Sequence, residues 1–122
     1  MYTMEQRKQI VKEFAQKIKK EFPQTNQYNI LLFGSFLTDR YHENSDIDMG
    51  VFSLDKSLMF RLYMFAADYF DELGIAHDII RMELDELLSQ RTDRIYKNDG
   101  FFIWNKSDGY CAEEYCAGGW AE

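Results

Sequence analysis

Two apolar runs constrain this chain more than anything else in it. The first is Asn29-Ile30-Leu31-Leu32-Phe33, which stops at Gly34-Ser35; after ten intervening residues the second begins, Asp46-Ile47-Asp48-Met49-Gly50-Val51-Phe52. Both have the length and side-chain content of strands, and the small-residue pair between them reads as a turn. In a strand, side chains at i and i+2 leave the same face, so Asp46 and Asp48 point together while Ile47 and Met49 point into packing. Two carboxylates held side by side repel, and desolvation adds to the cost, so the pair calls for a cation.

Magnesium fits that need, because it takes one or two carboxylates together with substrate phosphates. Gly34 lets backbone approach an anion closely, and Ser35 is placed to cap a helix starting there, with its hydroxyl and nearby N–H groups facing a phosphate. The two motifs together describe one ligand, a metal-bound nucleoside triphosphate. An isolated Asp-x-Asp is more often a solvated strand edge, and Gly-Ser alone says less. The weight lies in their joint arrangement on two successive apolar strands.

Gly34-Ser35, ten residues, then Asp46-Ile47-Asp48 resembles the signature of the nucleotidyltransferase superfamily with a DNA polymerase beta type core, and in particular its minimal nucleotidyltransferase branch. The resemblance covers residues 28–104. It implies a small α/β (α+β) fold, a mixed sheet of three to four strands with helices packed against it, and transfer of a nucleoside monophosphate from a triphosphate. It also implies a nucleotide site at Gly34, Ser35, Arg40 and Ser45. The chain departs from its relatives at Phe36-Leu37-Thr38-Asp39-Arg40, where they usually carry basic and small residues; here Arg40 supplies the positive charge.

The family uses a third carboxylate from a neighbouring strand, and Asp78 in Gly74-Ile75-Ala76-His77-Asp78-Ile79-Ile80-Arg81 matches it. An acid set in an apolar stretch is costly unless it faces a site. The resemblance implies a two-metal scheme with Asp46, Asp48 and Asp78 as both catalytic and metal-binding residues, two magnesium ions with the nucleotide bound, and ATP as substrate. Asp78 alone also reads as a surface acid at a strand end. His77, next to Asp78 on a strand, points to the opposite face and reads as a packed or half-exposed histidine, and His42 lies in a polar loop. No zinc spacing, Gly-x-Ser-x-Gly elbow or Gly-Lys-Ser/Thr phosphate loop is present.

Around this core, Ile10, Phe14, Ile18 and Phe22, with Val11 and Ala15 beside them, mark an amphipathic helix over 4–22 that ends before Pro23. Leu58, Leu62, Phe65, Tyr69 and Leu73 mark a second helix over 56–73, the crossover from the Asp46/Asp48 strand to the Asp78 strand. A further helix is expected over 82–91, extending towards Lys97, and a short strand over 101–104. Residues 1–104 form the expected single domain. The tail 105–122, rich in aromatic residues and glycine, is expected to fold back on it.

Composition narrows the acceptor. At 122 residues, with 46% hydrophobic and 16% aromatic content, the chain can bury one core. Its 14 basic and 21 acidic residues leave a formal charge of −7, which disfavours direct nucleic-acid binding and points to a protein or small-molecule acceptor. No signal peptide or membrane span is evident, a cytoplasmic location is expected, and Cys111 and Cys116 read as reduced thiols. The resemblance extends to antitoxins of two-gene modules that adenylylate a tyrosine on a HEPN-type ribonuclease partner. Two readings stand beside it: a nucleotide- or partner-binding module with weakened chemistry, and transfer to an aminoglycoside-type antibiotic, whose enzymes usually carry an extra helical domain.

Overall fold

The structure, a computed structural model, describes residues 2–33, 35–37, 39–84, 104–105 and 110–111. Helix α1 (Met4–Glu21) begins with a capping box: the Thr3 hydroxyl accepts from the Gln6 N–H at 3.1 Å, and the Gln6 side chain accepts from the Thr3 N–H at 2.8 Å. Its buried stripe is Arg7, Val11, Phe14, Ala15 and Ile18, with Ile10 at the margin. The helix stops at Phe22, before Pro23, where the Phe22 carbonyl accepts from the buried Tyr28 hydroxyl at 2.7 Å. Lys19 and Lys20 in the last turn suit the negative end of the helix dipole.

A 3-10 turn (Thr25–Gln27) leads into β1 (Asn29–Phe33), which pairs antiparallel with β2 (Ile47–Phe52). Helix α2 (Lys56–Glu72) then crosses over to β3 (His77–Arg81), which pairs parallel with β2. The sheet is therefore mixed, in the order β1-β2-β3, with the acid-bearing strand in the middle. Asp55 caps α2 by accepting from the N–H groups of Ser57 and Leu58 at 3.0 and 3.2 Å. The buried Ser53 hydroxyl donates to the Gln27 carbonyl at 2.8 Å and ties the end of β2 to the turn before β1.

Alternation along the strands assigns the two faces of the sheet. Ile30 and Leu32 of β1, Ile47, Met49 and Val51 of β2, and Ile79 of β3 are buried on one face. That face is covered by the helices, which meet in an aromatic cluster where the Phe14 ring lies 4.9 Å from Phe70 and 5.4 Å from Tyr69. His77 and Arg81 share the helix face: His77 Nε2 donates to Asp71 at 2.8 Å, and the Arg81 guanidinium sits over the Tyr63 ring at 5.6 Å. Asp48, Gly50, Asp78 and Ile80 occupy the other face.

The end of α2 aims β3. The Gly74 N–H donates to the Asp71 carbonyl at 3.0 Å and the Ile75 N–H to the Phe70 carbonyl at 2.9 Å, a Schellman closure with Gly74 at φ +70°. A Cβ at Gly74 would meet nothing within 4 Å, so the demand for glycine is purely conformational. Gly74→Ala is expected to lower stability by about 1 kcal/mol, read as a shift in the denaturant midpoint with unchanged slope.

The later elements are partly described. Two short strands, β4 (Trp104–Asn105) and β5 (Tyr110–Cys111), pair antiparallel, and β4 lies beside β1. The strand expected over 101–104 thus appears at its last residue, with 101–103 outside the described residues. The expected helix over 82–91 also falls outside them from residue 85 onward, as does the tail apart from Asn105 and Tyr110–Cys111. Among the described residues, no helix is long and apolar enough to cross a membrane.

Candidate active site

The register of the central strand assembles the acids. Phe33 at the end of β1 pairs with Asp48, and Asp48 pairs on its other side with Asp78. Asp46 immediately precedes β2, and both Asp46 and Asp48 are half-buried between the buried Ile47 and Met49. The Asp48 carboxyl is pushed up to about 6, first by burial, then by the charge of Asp46, a hydrogen bond with Asp46, and the charge of Asp78. The Asp48 carboxyl therefore keeps its proton at mildly acid pH, and Asp78 acts on it through its field.

Asp78 itself is exposed. Among the described strands β3 is the outer one, and its covered residues are Ile79 and, in part, His77. The placement of Asp78 beside Asp48 comes from the parallel register and owes nothing to a desolvation cost. His77 takes the opposite face, 18% exposed and engaged with Asp71, away from the acids.

Across from the acids, the two serines of the motif meet: Ser35 Oγ and Ser45 Oγ share a hydrogen bond of 3.2 Å. Ser45 is set by a tight turn in which its N–H donates to the His42 carbonyl at 2.8 Å, while its hydroxyl accepts from the His42 N–H at 3.0 Å. His42 Nδ1 accepts from the Asn44 N–H at 3.2 Å and stays in the exposed loop. Gly34 lies outside the described residues, and Arg40 is exposed on the connector.

Ser35 does not begin a helix as its sequence context suggested. Residues 35–37 and 39–40 are turns, and the Phe36 carbonyl accepts from the Arg7 guanidinium at 2.7 Å instead of from a following helical N–H. Phe36 and Leu37 are buried, so these departures from the basic pattern of the relatives serve the core. Arg7 is the residue that sequence reasoning missed. It is 7% exposed on α1, and its guanidinium also lies over the Tyr41 ring at 4.0 Å. The signal was present in its spacing, since 7, 11, 14 and 18 trace one helix face and Arg7 is the charged member of that stripe.

A small mixed sheet, a β2-α2-β3 crossover and acids at the head of the central strand stand beside a match to one family model. The model described as Polymerase beta, Nucleotidyltransferase matches residues 16–106. The chain belongs to this nucleotidyltransferase family. Neither a curated protein nor a solved structure matches the chain significantly. Within the nucleotidyltransferase domain the match takes in β1, the serine turn, the three acids and α2, and leaves Arg7 outside.

The donor set fits a divalent cation. Two hard-oxygen carboxylates lie side by side, and burial and then the charge of Asp46 push Asp48 up to about 6, a cost that a magnesium ion would relieve. Among the described residues no three of His, Cys, Asp and Glu stand close enough to hold one ion by themselves. Phosphate oxygens of a nucleotide are the natural remaining ligands, as is usual for magnesium.

Proposed function

We propose that this nucleotidyltransferase moves AMP from ATP to a hydroxyl on a partner protein, a tyrosine of a HEPN-type toxin, with Asp46 and Asp48 as the metal-holding pair. The observation that carries the reading is the meeting of two features at one end of the sheet: the adjoining acids Asp46 and Asp48 and the Ser35–Ser45 contact at 3.2 Å. Ser35 and Ser45 would turn their hydroxyls to the triphosphate, giving up their mutual hydrogen bond for charge-assisted ones. Asp46 and Asp48 would hold a magnesium ion, which would neutralise the triphosphate and acidify the acceptor hydroxyl. Asp78, beside Asp48, takes the proton of that hydroxyl as its oxygen bonds to the α-phosphorus, and the bond to the pyrophosphate oxygen breaks. The acidic balance of the chain suits a basic, RNA-directed partner.

Intact-mass measurement of the co-encoded partner after incubation with this chain, ATP and magnesium tests the proposal. A gain of one AMP on the partner, lost when its tyrosine is replaced by phenylalanine, is the expected result. An unmodified partner beside a fully folded domain would reject it.

The burial of Phe36 and Leu37, where relatives carry basic residues, favours a second reading in which the domain binds nucleotide without turnover. Tight ATP binding by calorimetry with no pyrophosphate release, with or without the partner, would select that reading over transfer.

A further inference from the structure

We propose that Arg7, on the helix preceding the matched family core, is a positioning residue for the nucleotide: it clamps both ends of the connector that carries the serine turn. The inference rests on the nucleotidyl-transfer reading above and adds a residue to its machinery.

A guanidinium in a helix stripe is an expensive way to fill space, since burying a charge costs far more than burying a leucine of similar size unless the charge is well engaged. Every other residue of the α1 stripe is apolar, and Val11, Phe14, Ala15 and Ile18 make an ordinary core contact. Arg7 is engaged differently. Its Nη1 donates to the Phe36 carbonyl at 2.7 Å, one residue past Ser35, and its guanidinium plane lies 4.0 Å from the centre of the Tyr41 ring, one residue before the His42–Ser45 turn. Phe36 and Tyr41 also meet edge to face at 5.7 Å, so one side chain touches both shoulders of a small closed unit.

The same connector carries the Ser35–Ser45 contact, with Ser35 one residue before Phe36 and Ser45 four after Tyr41. The connector has turns in place of a helix, and turns owe their geometry to such side-chain ties. Arginine suits the position because its planar fork can donate in one direction while its face stacks in another, which lysine cannot do. The clamp fixes where the serine hydroxyls stand relative to Asp46 and thus how well the turn receives a triphosphate. It touches no reacting atom, so its loss acts on nucleotide binding and leaves the chemical step largely alone.

The test uses the full chain with the co-encoded partner as acceptor, ATP and magnesium as probes and pyrophosphate release as readout, in wild type, Arg7→Lys, Arg7→Met and Tyr41→Leu. Expected are a KM for ATP raised about tenfold in Arg7→Met and about threefold in Arg7→Lys and Tyr41→Leu, with kcat within about twofold throughout. Lysine recovers part of the loss because it still donates to the Phe36 carbonyl. A purely structural role would lower the melting temperature and the active fraction, reducing apparent kcat at unchanged KM, and that result overturns the inference. Should Arg7→Met fail to fold, the KM values of Arg7→Lys and Tyr41→Leu decide alone, and wild-type values in both overturn it. A wild type that neither binds nor turns over ATP removes the nucleotidyl-transfer reading as well, whereas an active wild type with unaltered variants removes only the role of Arg7.

Discussion

Asp46→Asn and Asp48→Asn are each expected to reduce AMP transfer by about a thousandfold or more while the domain remains folded. Asparagine keeps the shape of each side chain and some of its hydrogen bonding, but removes the charge that makes the pair attractive to a divalent ion. The loss should appear in kcat and in the magnesium dependence together, because the pair has no purpose in the chemistry except through the ion and the triphosphate. Asp78→Asn is expected to be milder, lowering kcat by about a hundredfold with the KM for ATP nearly unchanged, as fits a proton acceptor that is exposed and acts on Asp48 through its field. Circular dichroism and the unfolding midpoint establish that each variant is folded. Full activity in folded Asp48→Asn would remove the Asp46/Asp48 pair from the mechanism.

The parts of the molecule legible in the sequence were those governed by local periodicity. The stripes of α1 and α2 and the stop at Phe22-Pro23 follow from residues within one or two turns of each other, and the structure has them within a residue of the expected bounds. Strand alternation did the same for the face shared by Asp46 and Asp48, since Ile47 and Met49 are buried between and beside them. What was not legible depended on contacts far apart in sequence. The tie between Arg7 and the Phe36 carbonyl spans 29 residues, and it replaces the helix that Ser35 would otherwise have been expected to cap. The exposure of Asp78 depended on β3 being the outer one of the described strands, which the composition of the strand cannot report because an outer strand of a crossover unit carries the same apolar residues. The serine pair lay between these cases: Ser35 and Ser45 each belonged to the motif, but their contact required the antiparallel return of β2 beside β1.

The same burial and repulsion that prepare the acids for a cation should make the metal-free protein less stable than it could be. Folding raises the Asp48 carboxyl from an ordinary value of 3.8 to about 6, so the native state binds that proton more tightly than the unfolded chain does. Between about pH 4 and pH 6 the native state therefore holds more protons, and stability must fall as pH rises through that window; above it the whole penalty is present, and below it the penalty is gone. Asp48→Asn removes the penalty. In chelator at pH 8 the variant is expected to be more stable than wild type by about 1 kcal/mol, a figure reduced from the full linkage value because water screens a half-exposed carboxylate. The advantage should shrink to about half by pH 5, where the native wild type is mostly protonated at this site. Magnesium with ATP should then reverse the order at pH 8, because a ligand that binds the native wild type and not the variant stabilises only the former by mass action. Thermal unfolding of the two proteins with chelator and with magnesium plus ATP, at pH 8 and pH 5, measures all of these differences. An Asp48→Asn variant less stable than wild type in chelator at pH 8 would mean that the pair is already satisfied by the protein's own groups, and the case for a cation site between these strands would fall with it.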